Sequence, residues 1–143
     1  MANNESLTYT NVGISMRPML KQGRDLFTVK RTDGERVKKY DVVMYRRPPD
    51  KYVLHRVIKV LPDGYVIRGD NCIRREYGIT DADILAVLTS FVRRGREHSV
   101  TEPGYRFYSR LIVFIHPLVS LKLRARSLAG RLKRKFINKK KGK

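Results

Sequence analysis

Apolar and polar positions alternate in short runs up to residue 92, and the runs end at turn-forming residues. Residues 7–10 read as a short strand. Residues 26–29, rich in β-formers, close at Thr32-Asp33-Gly34, and residues 42–45 close at Pro48-Pro49-Asp50. The longest alternation covers residues 52–61, and Pro62-Asp63-Gly64 turns it into residues 65–68, a hairpin signal. Gly69-Asp70-Asn71 opens a polar loop lasting until Ile79. Thr80 is placed to cap one helical turn over residues 81–83, and residues 84–92 return to strand character. No internal repeat is visible. Short strands between regular turns predict a compact, mostly β core.

The pattern then changes period. Residues 95–104 hold Arg, Glu, Ser, Pro and Gly without periodicity and read as a linker. Beyond them Leu111, Phe114, Leu118, Leu121, Ala125, Leu128, Leu132 and Phe136 recur every three or four residues, which predicts an amphipathic helix. Pro117 marks a kink or a boundary in it. Residues 138–143 are too charged to fold alone. The expected organisation is a core over residues 1–94, a linker over 95–104 and a basic helical segment over 105–143.

Charge sharpens that division. The chain of 143 residues carries a formal net charge of +19, yet residues 103–143 contain 13 Lys or Arg and no Asp or Glu. The front is an ordinary globular composition and the back a polycation. The single cysteine, Cys72, excludes an internal disulfide, no Cys/His cluster has zinc spacing, and neither metal nor cofactor is expected. Asn3, Asn4 and Glu5 stand where a secretory signal has positive charge, and the longest mostly apolar run, residues 111–121, is too short to span a bilayer. A peripheral membrane or cytoplasmic location is therefore expected, without a full transmembrane helix. The tail has three readings: docking on an anionic membrane surface, preferred; nucleic-acid binding, the second; and a solvated face of a packed helix.

Candidate chemistry begins at Gly13-Ile14-Ser15-Met16-Arg17-Pro18-Met19-Leu20. Pro18 is suited to open a helical turn, which would put Ser15 at its mouth, where free N–H groups favour an oxyanion. The plainer reading makes Ser15 a helix cap. His55 lies in the longest strand, and Asp70 and Glu76 follow it. A serine hydroxyl needs a base, histidine suits that task near neutral pH, and a carboxylate behind it fixes the tautomer. Read singly, His55 is a core histidine, Asp70 and Asn71 are turn formers, and Glu76 is a surface charge. Periodicity does not bring them together.

In order, however, these boxes resemble the signal peptidase and LexA-type serine peptidase clan. Gly13-x-Ser15-Met16-x-Pro18-x-Leu20 resembles its nucleophile box. Residues 40–45 resemble its Gly-Asp-Val-Val strand, with Tyr40 in the glycine position. His55-Arg56-Val57-Ile58 resembles the general-base box and Gly69-Asp70-Asn71 the closing box. The likeness spans residues 7–92 in family order, which is more specific than any one box. It implies a signal peptidase/LexA-like β core. The histidine before Arg56 is the pattern of signal peptidases of the endoplasmic reticulum and archaea, so the resemblance implies a Ser15–His55 machine. Those enzymes place an acid six residues after the Gly-Asp-Asn aspartate, a position held by Glu76. The implied triad is Ser15, His55 and Glu76, with Asp70 organising the loop or serving as the alternative acid. Lys59, on the same strand face by parity, ranks below His55 as base. Gly13 replaces a serine common in signal peptidases, which implies an oxyanion hole of backbone N–H groups, including that of Ser15. The family's N-terminal membrane anchor is not recognisable before Ser15, and neither a repressor's DNA-binding domain nor a self-cleavage segment precedes the core.

The resulting expectation is a serine endopeptidase that cleaves a peptide or preprotein after a small residue. The alternatives are a non-catalytic peptide- or membrane-binding module that keeps the fold, and a nucleic-acid-binding protein driven by the tail.

Overall fold

A computed structural model describes residues 5–141. The first ninety-nine residues supply eight strands: β1 (Ser6–Thr10), β2 (Leu26–Arg31), β3 (Val42–Arg47), β4 (Lys51–Leu61), β5 (Gly64–Arg68), β6 (Glu76–Ile79), β7 (Ile84–Arg93) and β8 (Arg96–Ser99). Two helices follow, α1 (Pro103–Phe114) and α2 (His116–Lys141). The strands form one antiparallel sheet in the order β1-β2-β7-β3-β4-β5-β6, with β8 paired to β7 outside that path. The protein is mostly β with a helical C-terminus, as the alternation predicts.

The two sheet faces bury different clusters. Met16, Met19, Leu20, Phe27, Val29, Leu54, Leu88 and Phe91 belong to one, and Tyr105 and Tyr108 of α1 pack against it. Val43, Tyr45, Val57, Tyr65, Ile67 and Ile84 belong to the other. Glycine matters structurally at the β4–β5 hairpin. A Cβ on Gly64 would stand 2.4 Å from the Ile79 carbonyl oxygen, so only glycine lets β6 close against β5.

Several expectations need correction. Residues 95–104 are not a linker. Arg94 and Gly95 turn the chain through positive φ, β8 pairs along β7 from Ser90↔Ser99 to Arg93↔Arg96, and Pro103 starts α1. A four-residue strand rich in charge shows no alternation long enough to read. The same holds for β6, which occupies the end of the expected loop. Nor are residues 105–143 separate from the core, because α1 buries Ser109 and Ile112 against it. The helical break falls at Ile115, two residues before Pro117, and α2 then runs on as helix through Lys141.

No helix opens at Ser15, although one i→i+4 bond, from the Leu20 N–H to the Met16 carbonyl at 3.0 Å, closes a single turn just beyond it. Residues 15–19 form turns between β1 and β2. In a helix capped by Ser15 the Ser15 carbonyl would need the N–H of Met19. The Ser15 oxygen instead accepts the Asn71 N–H at 2.8 Å. Among the described residues Ser15 Oγ makes no capping hydrogen bond, and no helix follows it to lend a dipole.

Candidate active site

Strand register builds the site. Residues paired across antiparallel strands share a face, and neighbours along a strand take opposite faces. Val43↔His55, Tyr45↔Val53 and Arg47↔Lys51 put Tyr45, Arg47 and His55 on one face. Val57↔Ile67 and Ile67↔Glu76 carry that face to Glu76. Arg56, next to His55, faces the other way, toward α1 and Asp70. The two candidate acids are therefore separated by the sheet.

On the first face His55 is 4% exposed. Its Nδ1 lies 3.2 Å from Glu76 Oε1 and 3.2 Å from the Tyr45 hydroxyl. Glu76 is in turn held by Arg47, whose Nε donates to Oε2 at 3.1 Å and whose Nη2 donates to Oε1. The same Nη2 reaches the Tyr45 hydroxyl at 3.1 Å. Burial pushes the His55 pKa below its ordinary value, against an opposing pull from the Glu76 charge. Burial alone would raise the Glu76 carboxyl, but hydrogen bonds from Arg47 and Tyr45 outweigh it and hold Glu76 low. The pair is thus set as a neutral imidazole against a carboxylate.

The other edge of the ring, Nε2, is turned to Gly69. A Cβ built on Gly69 would stand 2.7 Å from the Ser15 carbonyl oxygen, 2.8 Å from Cys72 Sγ and 3.0 Å from His55 Nε2. Three groups from distant parts of the chain converge where that side chain would be. Asn71 staples the contact: its N–H donates to the Ser15 oxygen and its Nδ2 to the Ile14 oxygen at 3.1 Å. Ser15 is half-buried, and its hydroxyl and amide N–H make no hydrogen bond among the described residues. Gly13 precedes it at φ +87°, in the region that favours glycine. Met16 is buried in the core, anchoring the segment, whereas Pro18 is exposed and touches no catalytic candidate in the hydrogen-bond network. An open cleft of about 770 Å³ is lined by Ser15, His55, Glu76, Cys72, Arg47, Arg74 and Arg75, among others.

Asp70 occupies a different environment. Arg56 grips it with two hydrogen bonds of 2.8 Å, both side chains almost wholly buried, and the Tyr108 hydroxyl donates to it at 2.9 Å. Arg56 also donates to the Tyr40 carbonyl and to Ser109 Oγ. Both Asp70 oxygens are committed to joining loop, sheet and α1, which assigns it the organising task rather than that of acid behind His55. Tyr40, in the family's glycine position, adopts φ +79°, the left-handed conformation in which glycine is at ease. Lys59 is exposed and outside the cleft, because an extra residue at Ile58 bulges β4 between Val57↔Ile67 and Lys59↔Val66 and breaks the parity that linked it to His55.

Tyr45, Arg47, Cys72 and Tyr108 escape the sequence reading. For Tyr45 and Arg47 the signal existed, since alternate positions on a strand before a histidine strand share its face. Cys72 and Tyr108 join through loop and helix packing that no periodicity encodes. Among the described residues no group of three or more His, Cys, Asp or Glu is placed to hold a metal ion. No known protein family, curated protein or solved structure matches the chain.

Proposed function

We propose that this protein is a serine endopeptidase that cleaves a peptide or preprotein through an acyl-enzyme on Ser15. One observation carries the reading. His55 Nδ1 lies 3.2 Å from a carboxylate that Arg47 locks in place and shares a hydrogen bond with the Tyr45 hydroxyl, while its Nε2 is turned toward the Ser15 segment at Gly69. That is the division of labour a base needs: one nitrogen oriented and charge-compensated, the other free to take a proton. The ordered resemblance of the boxes to the signal peptidase clan supports the same roles.

In this mechanism Ser15 Oγ attacks the scissile carbonyl carbon as its proton passes to His55 Nε2. The carbonyl oxygen gains negative charge, and the unpartnered Ser15 N–H is a donor available to it. Glu76 stabilises the imidazolium without taking its proton. Collapse breaks the C–N bond, and the imidazolium protonates the departing amine. Water, deprotonated by His55, then hydrolyses the acyl ester and regenerates Ser15.

The test is cleavage of a library of leader peptides, read by mass spectrometry. Ser15→Ala should abolish cleavage with little change in thermal unfolding, and His55→Ala, which empties a buried position, should abolish it while the protein still folds. Wild-type turnover by either variant refutes the proposal.

A further inference from the structure

Helix α2 leaves an apolar arc uncovered. Leu118, Leu121, Leu128, Leu132 and Phe136 are all more than half exposed. At 3.6 residues per turn they project to one side. Lys122, Arg126 and Lys133 border that arc on one flank, and Arg124, Arg131 and Lys135 border it on the other. The helix carries no Asp or Glu.

This arrangement suits one occupant. A second copy of α2 on the arc would set cations against cations at the flanking positions, where paired helices place opposite charges. A nucleic acid would use the cations and leave five large apolar side chains in water. A bilayer containing acidic lipids satisfies both, because the arc enters the acyl boundary and the flanking side chains extend to headgroup level.

The elbow between α1 and α2 adds a second, independent feature. A groove of about 700 Å³ is lined there by Arg68, Arg75 and Arg124 beside Phe114, Leu118 and Leu121. Arg68 is 5% exposed, and among the described residues its guanidinium makes no hydrogen bond or ion pair. Burial, with the Arg75 charge nearby, lowers its pKa to about 10 despite the pull of Asp70. A partly desolvated cation, crowded by Arg75 and opening on a groove, is a seat for an anion. The apolar wall beside it fits acyl chains.

We propose that α2 lies on an anionic membrane surface, apolar arc inward, with the phosphate of an acidic phospholipid seated among Arg68, Arg75 and Arg124 at the elbow. Arg75 lines both this groove and the cleft of Ser15, so docking sets the cleft beside the headgroups. The membrane seat stands whether or not Ser15 is a nucleophile.

Flotation of the full chain tests it, using vesicles of phosphatidylcholine alone or mixed with phosphatidylglycerol. The protein should float with the mixed vesicles and remain behind with the neutral ones. Leu128→Glu with Leu132→Glu should weaken partitioning about tenfold or more, because apolar burial is one of the two signals needed. Arg68→Gln should weaken it about fivefold, as one cation at an anionic surface does. Arg75→Gln, at an exposed position, gives the same reading should Arg68→Gln unfold. Absence of flotation, equal flotation with both lipids, or an undiminished double-Glu variant overturns the membrane seat. Unchanged partitioning of Arg68→Gln and Arg75→Gln overturns the elbow site. Oligonucleotide binding without flotation would make the tail a nucleic-acid ligand and overturn both.

Discussion

Asp70 and Glu76 serve opposite faces of one sheet, and substituting each in turn separates their roles. Asp70→Asn leaves Arg56 buried with its charge uncompensated, and side-chain exposures of 1% and 2% leave no water to replace the carboxylate. Removing one partner of such a pair costs about 3–5 kcal/mol. Tyr108 loses a charged acceptor as well, worth about 1 kcal/mol more. Against a typical total of about 5–15 kcal/mol, Asp70→Asn should remove a third or more of the stability. Glu76→Gln is different, because Arg47 is 40% exposed and water screens the pair, so the loss should stay below about 1 kcal/mol. Activity should rank the other way. A Gln behind His55 no longer fixes its tautomer or compensates the imidazolium, and turnover should fall about 10³-fold, somewhat less than in other triads because Tyr45 still contacts Nδ1. Asp70→Asn reaches Ser15 only through the loop, and turnover of its folded fraction should fall about tenfold or less, under the cost of an ångström-scale misplacement. Urea titration supplies the stabilities, and cleavage of one library-derived peptide under native conditions supplies the rates. If Glu76→Gln keeps wild-type turnover, or Asp70→Asn loses as much turnover as Glu76→Gln was expected to lose, the division of roles is wrong.

Three further outcomes follow from the same geometry. Since burial lowers the His55 pKa, kcat/KM should rise with pH along an acidic limb centred below 6.5 and be level at neutrality; Glu76→Gln, which removes the pull opposing that shift, should move the limb to still lower pH, and an immobile limb counts against the pairing. Gly69→Ala forces a methyl between Ser15, Cys72 and His55, so peptide turnover should drop about a hundredfold with a smaller change in the urea midpoint. In the proposed peptidase, burial and the Glu76 charge raise the Cys72 thiol, so iodoacetamide should inactivate slowly at neutral pH and faster as pH rises, while Cys72→Ala should keep turnover and become resistant; inactivation of Cys72→Ala at the same rate would place the alkylated group elsewhere.

The strands from Leu26 to Arg68 and from Ile84 to Arg93 were legible because each is long enough to alternate or to end at a Pro or Gly turn. The short edge strands were not, because four residues such as Arg96–Ser99 give no period. The neighbouring order His55-Arg56 already held the main feature of the site, since strand geometry sends the two to opposite faces and each must find its own acid. Which acid goes to which side depended on the path of the Gly69–Cys72 loop, a tertiary matter. Parity failed for Lys59 because a bulge is an insertion in register that composition does not announce. The helix signal at Ser15 is overridden because the Ser15 carbonyl accepts instead from the N–H of Asn71, a residue far away in sequence.

That loop has a consequence for the whole chain. Within four residues it touches the Ser15 backbone through Asn71, α1 through Asp70 and α2 through the Cys72 carbonyl, which the His116 ring meets at 2.7 Å. The helices and the cleft therefore share one set of contacts. On the two proposals above, linkage would be reciprocal: a lipid surface that tightened peptide binding would itself be gripped more tightly when peptide is bound. Cutting the chain before α1 would strand Arg56 and Asp70 as well as removing a tail, so substitutions on the outer face of α2, not truncation, are the clean way to separate anchoring from catalysis.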